Sequence, residues 1–380
     1  MSTTTKQDWN PRDPSVLADQ LRTYDDMRTR CPVAHSDAMH WSVFQHADVV
    51  SVLDDPETFI NTSRHHAIPN AMNGPDHITH RAILEHYFSD SAMAALEPRC
   101  REIARKVVDD VLLRDAVDAV VDIAEPIALR TMCVFLGWPE HWWSCIRDWV
   151  YGNRAATFRR DRGAAHALAA EYEAIVTAAL DDHRASGEQD DVTGLLMRTV
   201  IDGRHWTDQD IIATLRNWIA GHGTAAAMIG IVLSHLAEDN ELQQRLRDNP
   251  GLIPAAVVEM SRVDGPLVAN ARTTTREVQI DDRTIASGER ISLMWIAANR
   301  DPSAFEHADA VRLERDQGGN LLYGAGIHYC LGAPLARLEA RVTIEALLSS
   351  TTNMSLATDA TLERETYPGN GFISVPVDLR

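Results

Sequence analysis

The spacing of apolar and polar positions is mostly of helical period. From Met93 to Leu113 apolar residues recur every three or four positions with charges between them, which predicts a long amphipathic helix. Ala164 to His183, rich in Ala, Leu and Glu, predicts another, followed by a loop at Gly187 and the acidic stretch 188–191. Thr207 with Asp210 three residues on has the form of a capping box, and Ile211 to Leu236 then runs as one long apolar helix. A last helix is expected from Ala333 to Leu348. Strand signals are few: Trp41–Phe44, Arg272–Ile280, Thr284–Ile285 and Arg290–Met294, with turns at Asp281-Asp282 and Ser287-Gly288. No repeat, low-complexity tract or Gly/Ser linker marks a boundary. The pattern predicts an α+β fold, mainly α, forming one domain over residues 1–380.

Composition narrows the function classes. The 380 residues are 45% hydrophobic and 24% charged, which excludes disorder, collagen and a disulfide scaffold. Lys+Arg number 36 against 55 Asp+Glu, a formal charge of −19, so nucleic acid and anionic membranes are poor partners. No apolar run of the ~18–20 residues that cross a bilayer stands out. The start, Met1 to Pro14, is polar and Pro-broken rather than a secretion signal. The expected location is cytoplasmic. Five cysteines (Cys31, Cys100, Cys133, Cys145 and Cys330) are odd in number, widely spaced and without a C-x-x-C pair. That argues against a disulfide framework, a structural zinc site or an iron–sulfur cluster.

Cys330 stands apart. It lies in Tyr323-Gly-Ala-Gly-Ile-His-Tyr-Cys-Leu-Gly332, immediately before the last helix. Gly324, Gly326 and Gly332 allow positive φ and close approach to a flat ligand. A cysteine at a helix entrance meets amide N–H groups and the positive end of the dipole, which favour a thiolate. A thiolate held in a rigid glycine loop suits axial ligation of haem iron. Taken alone, the segment also reads as a buried cysteine beside a Gly-rich turn.

Other segments change that balance. The Tyr-Gly-x-Gly-x-His-x-Cys-x-Gly run resembles the haem-ligand loop of the cytochrome P450 family, with Tyr323 where Phe is usual. Glu259-Met-Ser-Arg262 is similar to that family's Glu-x-x-Arg pair, Asn299-Arg300-Asp301-Pro302 to the segment that follows it, and His77-Ile-Thr-His-Arg81 to its His-x-x-x-Arg haem contact. Ala220-Gly221-His222-Gly223-Thr224 resembles the oxygen-binding stretch of its long central helix. The matches keep the family's order over about 250 residues. Within the family the resemblance is nearest to haem domains of self-sufficient bacterial enzymes and their stand-alone relatives, through Ser63-Arg64-His65, Ile68-Pro69-Asn70, Leu136-Gly137-Trp138-Pro139, Asn217-Trp218 and Gly223-Thr224. The chain stops at Arg380, so no fused reductase is expected.

The resemblance implies a fold with a long central helix and small sheets, haem b lying between that helix and the cysteine loop. Cys330 is implied as the axial thiolate. Gly324 and Gly332 would border the haem, and His77, Arg81, Arg272 and His328 would hold its propionates; His80 and His86 match no family position. Glu259 and Arg262, with Arg300 as a possible third member, would order the cysteine side. Thr224 would hydrogen-bond dioxygen and position water for proton delivery. The acid usual before it is Gly223 here, so a carboxylate relay at that point is absent and His222 becomes a candidate proton carrier. The close glycines Gly221 and Gly223 each cost about 1 kcal/mol in a helix, which suggests room for a ligand, a local opening or close packing. Ile68, Met72, Leu267, Val268 and Phe372 are candidate substrate contacts, with core packing the equal alternative. The roof segment from Ser63 to Pro75 is short.

The implied activity is that of a haem-thiolate monooxygenase. It would insert one atom of dioxygen into a small or medium organic molecule, the resemblance tilting toward aromatic compounds through hydroxylation or oxidative O-demethylation, with electrons from an external ferredoxin and ferredoxin reductase. Arg99, Arg101, Arg105, Arg337 and Arg341 would offer the ferredoxin a local positive patch. Oxidative aryl or phenol coupling on a peptide or polyketide is the second enzyme reading, and a haem protein without turnover is the reading from another class. A peroxide-driven oxygenase is disfavoured, because no Arg-Pro pair replaces the acid and threonine.

Overall fold

The computed structural model describes residues 7–380 apart from 64, 160 and 188, and the side chains of residues 154 and 158 are also outside the description. Arg64 of the Ser63–His65 segment, Glu188 of the acidic loop and the first six residues of the polar start thus lie outside the described residues.

A mixed sheet is built from β1 (Val33–Ser36), β2 (His40–Val43), β3 (Phe59–Ile60), β4 (Ala269–Thr274) and β5 (Arg290–Met294), in the order β1-β2-β5-β4-β3. β5 runs parallel to β2 and antiparallel to β4. The strand expected over Arg272–Ile280 is two strands. β5 begins opposite Thr273, so the ladder has no partner to continue it, and the amide of Thr275 turns away to bond Thr58 O at 2.9 Å. Val278–Ile280 pairs with Arg283–Ile285 as a separate hairpin, turned at Asp281 with φ 49°.

The helical body carries the site. Its main members are α1 (Gly74–Glu85), α2 (Asp90–Val111), α3 (Glu125–Leu136), α4 (Trp142–Arg159), α5 (Arg162–Ala185), α6 (Asp208–Glu238), α7 (Ile253–Val263) and α8 (Ala333–Ser350). α6 begins at the expected capping box: Thr207 Oγ1 accepts the Asp210 amide and the Asp210 carboxylate accepts the Thr207 amide at 2.8 Å. It then runs through the core for 31 residues, against α3, α7 and α8. Small side chains allow that close fit. Ala225 and Ala226 pack with Ala128 of α3, and a Cβ added at Gly230 would come within 2.9 Å of Val120. α6 is the one described helix long and apolar enough to cross a membrane, and 78% of its most apolar window is buried in the body. Its hydropathy serves the core.

α6 continues unbroken through Gly221 and Gly223, so the local opening allowed by the two glycines does not occur. Between Ile211 and Leu236 every residue is buried except Arg216, Asn217, Ala220, Gly221, Thr224 and His235. The first five fall at i, i+4 and i+8 spacing, one stripe along one face. A Cβ added at Gly221 would meet nothing within 4 Å. The stripe borders open space inside a helix otherwise packed on all sides.

Candidate active site

The cysteine loop is shaped by its glycines. Gly324 (φ 69°) and Gly326 (φ 68°) hold conformations that L side chains rarely adopt. The amide of Cys330 donates to Tyr323 O at 2.8 Å, closing the loop on itself. Tyr323 then ties the loop to α6, its hydroxyl 3.5 Å from Met228 Sδ, while Arg337 of α8 lies over its ring at 5.4 Å. Cys330 follows directly and precedes α8. Amides of Gly332 and Ala333 point at its sulfur and lower its pKa, but burial is the larger effect and pushes the thiol up. The helix-entrance effect expected from the sequence is present and weaker than desolvation. A cation at the sulfur would reverse the balance. Cys330 nevertheless has accessible surface, and Cβ atoms added at Gly324 and Gly332 would meet nothing within 4 Å. The loop therefore lines open room rather than packed core.

At one edge of the loop four cationic or ionisable groups converge, and the carboxylate beside them, Glu85, is paired with Arg81. The rings of His77 (α1) and His328 lie 4.2 Å apart. Burial, then the charges of His77, Arg272 and Arg81, pushes His328 down to about 3. Burial pushes Arg272 (β4) down to about 10, and among the described residues its one hydrogen bond is to its neighbour's carbonyl, Ala271 O at 3.0 Å. His77 is buried with both ring nitrogens unpartnered, its pKa lowered by burial and then by Arg81. Arg81 holds Tyr329 O at 2.6 Å and Glu85 at 2.7 Å. Buried donors without acceptors are costly unless an anion completes them. These residues fit a flat group that carries two carboxylates and takes a thiolate at its centre, which is the chemistry of haem b.

Behind the loop, Glu259 and Arg262 of α7 are fully buried and paired at 2.8 and 2.9 Å. Glu259 is held down to about 2, burial being outweighed by bonds from Arg262, Gln317, Arg315 and the Arg312 amide. Arg262 also reaches Asn299 O at 2.6 Å and Ala308 O at 2.7 Å. Arg300 is outside this network: its guanidinium grips Asp25 at 2.7 Å and Val263 O at 3.2 Å. Arg315, 2.7 Å from Glu259, is the third member.

Several expected pocket residues lie elsewhere. His222 is buried on the face of α6 turned away from Thr224; its Nδ1 meets Trp218 O at 2.8 Å and its Nε2 lies 3.4 Å from Glu339 of α8. A role as proton carrier beside Thr224 is therefore corrected: six residues below Arg216 the helix has rotated it into the α6–α8 seam. Gly223 is buried within the helix. Val268 is core, packed with Trp9, Tyr24 and Phe44. Phe372 is buried under Arg364, 4.1 Å from its ring, in a cleft with Ser234 and His235, about three turns of α6 beyond Thr224. Leu267 is half-buried against the sheet, paired to Gly369. Ile68 is buried with its amide on Ala213 O of α6 at 3.3 Å, and Met72 is half-buried beside it. These two remain near the stripe. The roof segment is pinched at its neck, where Asn61 N meets Asn73 Oδ1 at 2.9 Å and Asn73 Nδ2 meets Asn61 O at 2.8 Å.

The arginine patch is largely self-neutralised. Arg101 reaches Glu97 and Glu345, Arg341 reaches the same two carboxylates, and Arg99 lies 3.7 Å from Glu102. Arg216, Asn217 and Glu339 had no assigned role in the sequence. Their positions at i−8, i−7 on the Thr224 helix and nine residues after Cys330 are periodic signals that a helical projection would have caught.

Residues 251–360 match the family model described as Cytochrome P450. Among curated proteins the chain is 29% identical to the cyclomarin C epoxidase CymV of Salinispora arenicola over 347 residues, covering 85% of this chain and 86% of that one. It is likewise 29% identical to the erythromycin C-12 hydroxylase of Saccharopolyspora erythraea over 354 residues, 89% and 87% of the two chains. A mutant of P450 EryK solved with erythromycin B superimposes with a TM-score of 0.85 at 27% identity, over 95% of this chain and 96% of that one.

Proposed function

The chain belongs to the cytochrome P450 family and is on that ground a haem-thiolate monooxygenase carrying haem b, and from that premise we propose that Cys330 would hold the haem iron through its thiolate and that the α6 stripe would be the wall on which substrate is oxidised. When bound, the haem activates dioxygen, and a thiolate ligand favours O–O cleavage by electron donation. The rest of the reading concerns this chain's own residues. The observation that carries it is the convergence of His77, with both ring nitrogens unpartnered, on His328 and on the buried guanidinium of Arg272, beside a loop whose glycines leave open room at Cys330.

In this reading His77, Arg81, Arg272 and His328 bind and orient the propionates, arginine taking carboxylate in its planar fork. The Glu259–Arg262–Arg315 network fixes the strand-and-loop scaffold behind the cysteine. Thr224 presents its hydroxyl from the accessible stripe and holds an ordered water for proton delivery. His222 has no part in that step. Since Gly223 replaces the usual acid, water reached through the stripe is the proton source. The whole chain acts as one haem-thiolate domain in the cytoplasm, taking electrons from a ferredoxin and its reductase and transferring one oxygen atom to an organic substrate.

The test is the ferrous–carbon monoxide difference spectrum of the purified protein and of Cys330→Ala. A strongly red-shifted Soret band in the wild type, lost in the variant, supports the reading. A band of the histidine-ligated type, or no haem, sinks it.

A further inference from the structure

The accessible stripe of α6 opens with a charge. Arg216 is half-buried, and its guanidinium makes no hydrogen bond or ion pair among the described residues. Its carbon lies 5.8 Å from the ring of Trp149 on α4 and 5.2 Å from that of Tyr172 on α5. Burial lowers its pKa and Tyr172 offsets this only in part. The Tyr172 hydroxyl is already committed to Ile212 O at 2.9 Å. Aromatic faces contribute roughly 0.5–2 kcal/mol to such a cation and leave its N–H edges free. Next to it the amide nitrogen of Asn217 is buried with no partner. Two neighbouring donors, one of them charged, thus lack an acceptor at one end of the stripe that carries Thr224. By contrast, buried Arg262 is completed by Glu259 and half-buried Arg300 by Asp25.

We propose that Arg216 and Asn217 form the anion-recognition end of the oxidation pocket, so that the substrate is an organic carboxylate whose acid group pairs with Arg216 while its body lies along Ala220 and Gly221 toward Thr224. The inference rests on the monooxygenase reading and specifies its substrate class. Trp149 and Tyr172, whose rings lie 4.7 Å apart, sit together on one side of the guanidinium and supply no acceptor to it, which leaves its N–H groups for a bidentate bond to a planar carboxylate. Eight residues of helix separate Arg216 from Thr224 by about 12 Å along the axis. The acid group and the oxidised carbon then lie at opposite ends of a medium-sized molecule. Gly221 leaves the intervening wall flat.

The test uses the holoenzyme and matched ligand pairs: para-butylbenzoic acid, nonanoic acid and cyclohexylbutanoic acid, each against its methyl ester. Binding is read by the Soret spin-state shift and, without reliance on the haem spectrum, by titration calorimetry. The wild type is expected to bind the acids at least ~10-fold more tightly than the esters. Arg216→Gln should weaken the acids by ~10–100-fold and leave the esters unchanged, and Arg216→Lys should restore part of the loss. Acids no tighter than esters in the wild type would overturn the proposal, as would an equal loss for acids and esters in Arg216→Gln, the result of a purely structural staple among α4, α5 and α6. A para-butylbenzenesulfonate bound tighter than the benzoate would overturn the carboxylate assignment. The carbon monoxide spectrum of Arg216→Gln checks the scaffold: if the wild type itself lacks the thiolate-type band, the monooxygenase reading fails, whereas calorimetry still decides the fate of Arg216.

Discussion

His222 Nε2 of α6 stands 3.4 Å from Glu339 Oε1 of α8, a pair enclosed between the central helix and the helix that leaves the cysteine loop. The Glu339 carboxyl is fully buried and its pKa is raised, burial outweighing the opposing pull of His222. An acid buried with a single polar partner is poorly compensated. The pair pins α8 to α6 on the side away from Thr224.

A raised folded-state pKa fixes the sign of its pH effect. The stability that protonated Glu339 contributes is fully present below the ordinary carboxylate range near 4.5 and is lost as pH rises through the raised folded value. Gln cannot ionise, so Glu339→Gln escapes that loss. Its melting temperature relative to wild type should climb steadily with pH above the ordinary range. Melts of both proteins across that interval decide it; a gap that stays constant with pH would refute the assignment.

Glu259 behaves in the opposite sense. Its folded-state pKa of about 2 lies below the ordinary 4.5, so the stability it provides is present above 4.5 and is lost as pH falls toward 2. Removing its charge strands Arg262 in the core. Glu259→Gln should cost about 3–5 kcal/mol by urea unfolding at neutral pH. Arg300→Gln, which breaks a partly exposed pair with Asp25, should cost about 1 kcal/mol or less. Equal costs would mean that Arg300 shares the buried load after all.

The contrast between those two arginines shows what the sequence could and could not tell. Glu259 and Arg262 are three residues apart on one helix, so their pairing is legible from spacing alone. Arg315 joins them across 56 residues of chain, and no local pattern marks Arg315 rather than Arg300 as the partner. Cys330 was legible because its glycines and helix start are contiguous. The four groups proposed to hold propionates, His77, Arg81, Arg272 and His328, come from three separate segments and needed the family's order to be assembled. His222 was misplaced because a motif read as a string has no faces, whereas a helix rotates about 100° per residue. The strand over Arg272–Ile280 failed for a related reason: β-branched residues run on through Thr275 and apolar positions return at Val278 and Ile280, but the neighbouring strand that would pair with a continuous one begins opposite Thr273 and reaches no further.

Arg272 provides a direct check on cofactor retention. Its guanidinium is buried enough to be held down to about 10 and has no anion to pair with among the described residues. Arg272→Gln should lower haem affinity by about 10-fold or more, measured as the rate of haem transfer to apomyoglobin. Arg81→Gln should have a smaller effect, because Arg81 divides its donors between Glu85 and Tyr329 O. If haem loss is unchanged in Arg272→Gln, the four groups at the loop edge hold something other than propionates.

Thr224 and His222 are two residues apart and are assigned opposite parts in turnover. Thr224 lies on the accessible stripe, where its hydroxyl can order water, whereas His222 is committed to Trp218 O and Glu339. Thr224→Ala should cut product formed per NADPH consumed by at least ~10-fold while reductant use continues, since proton placement fails before electron supply does. His222→Phe fills the same buried volume and should lower thermal stability while leaving product per NADPH within about twofold. The ratio, rather than the rate, separates the roles, because a loosened fold lowers both consumption and product together. Uncoupling in His222→Phe as deep as in Thr224→Ala would return the histidine to the proton path.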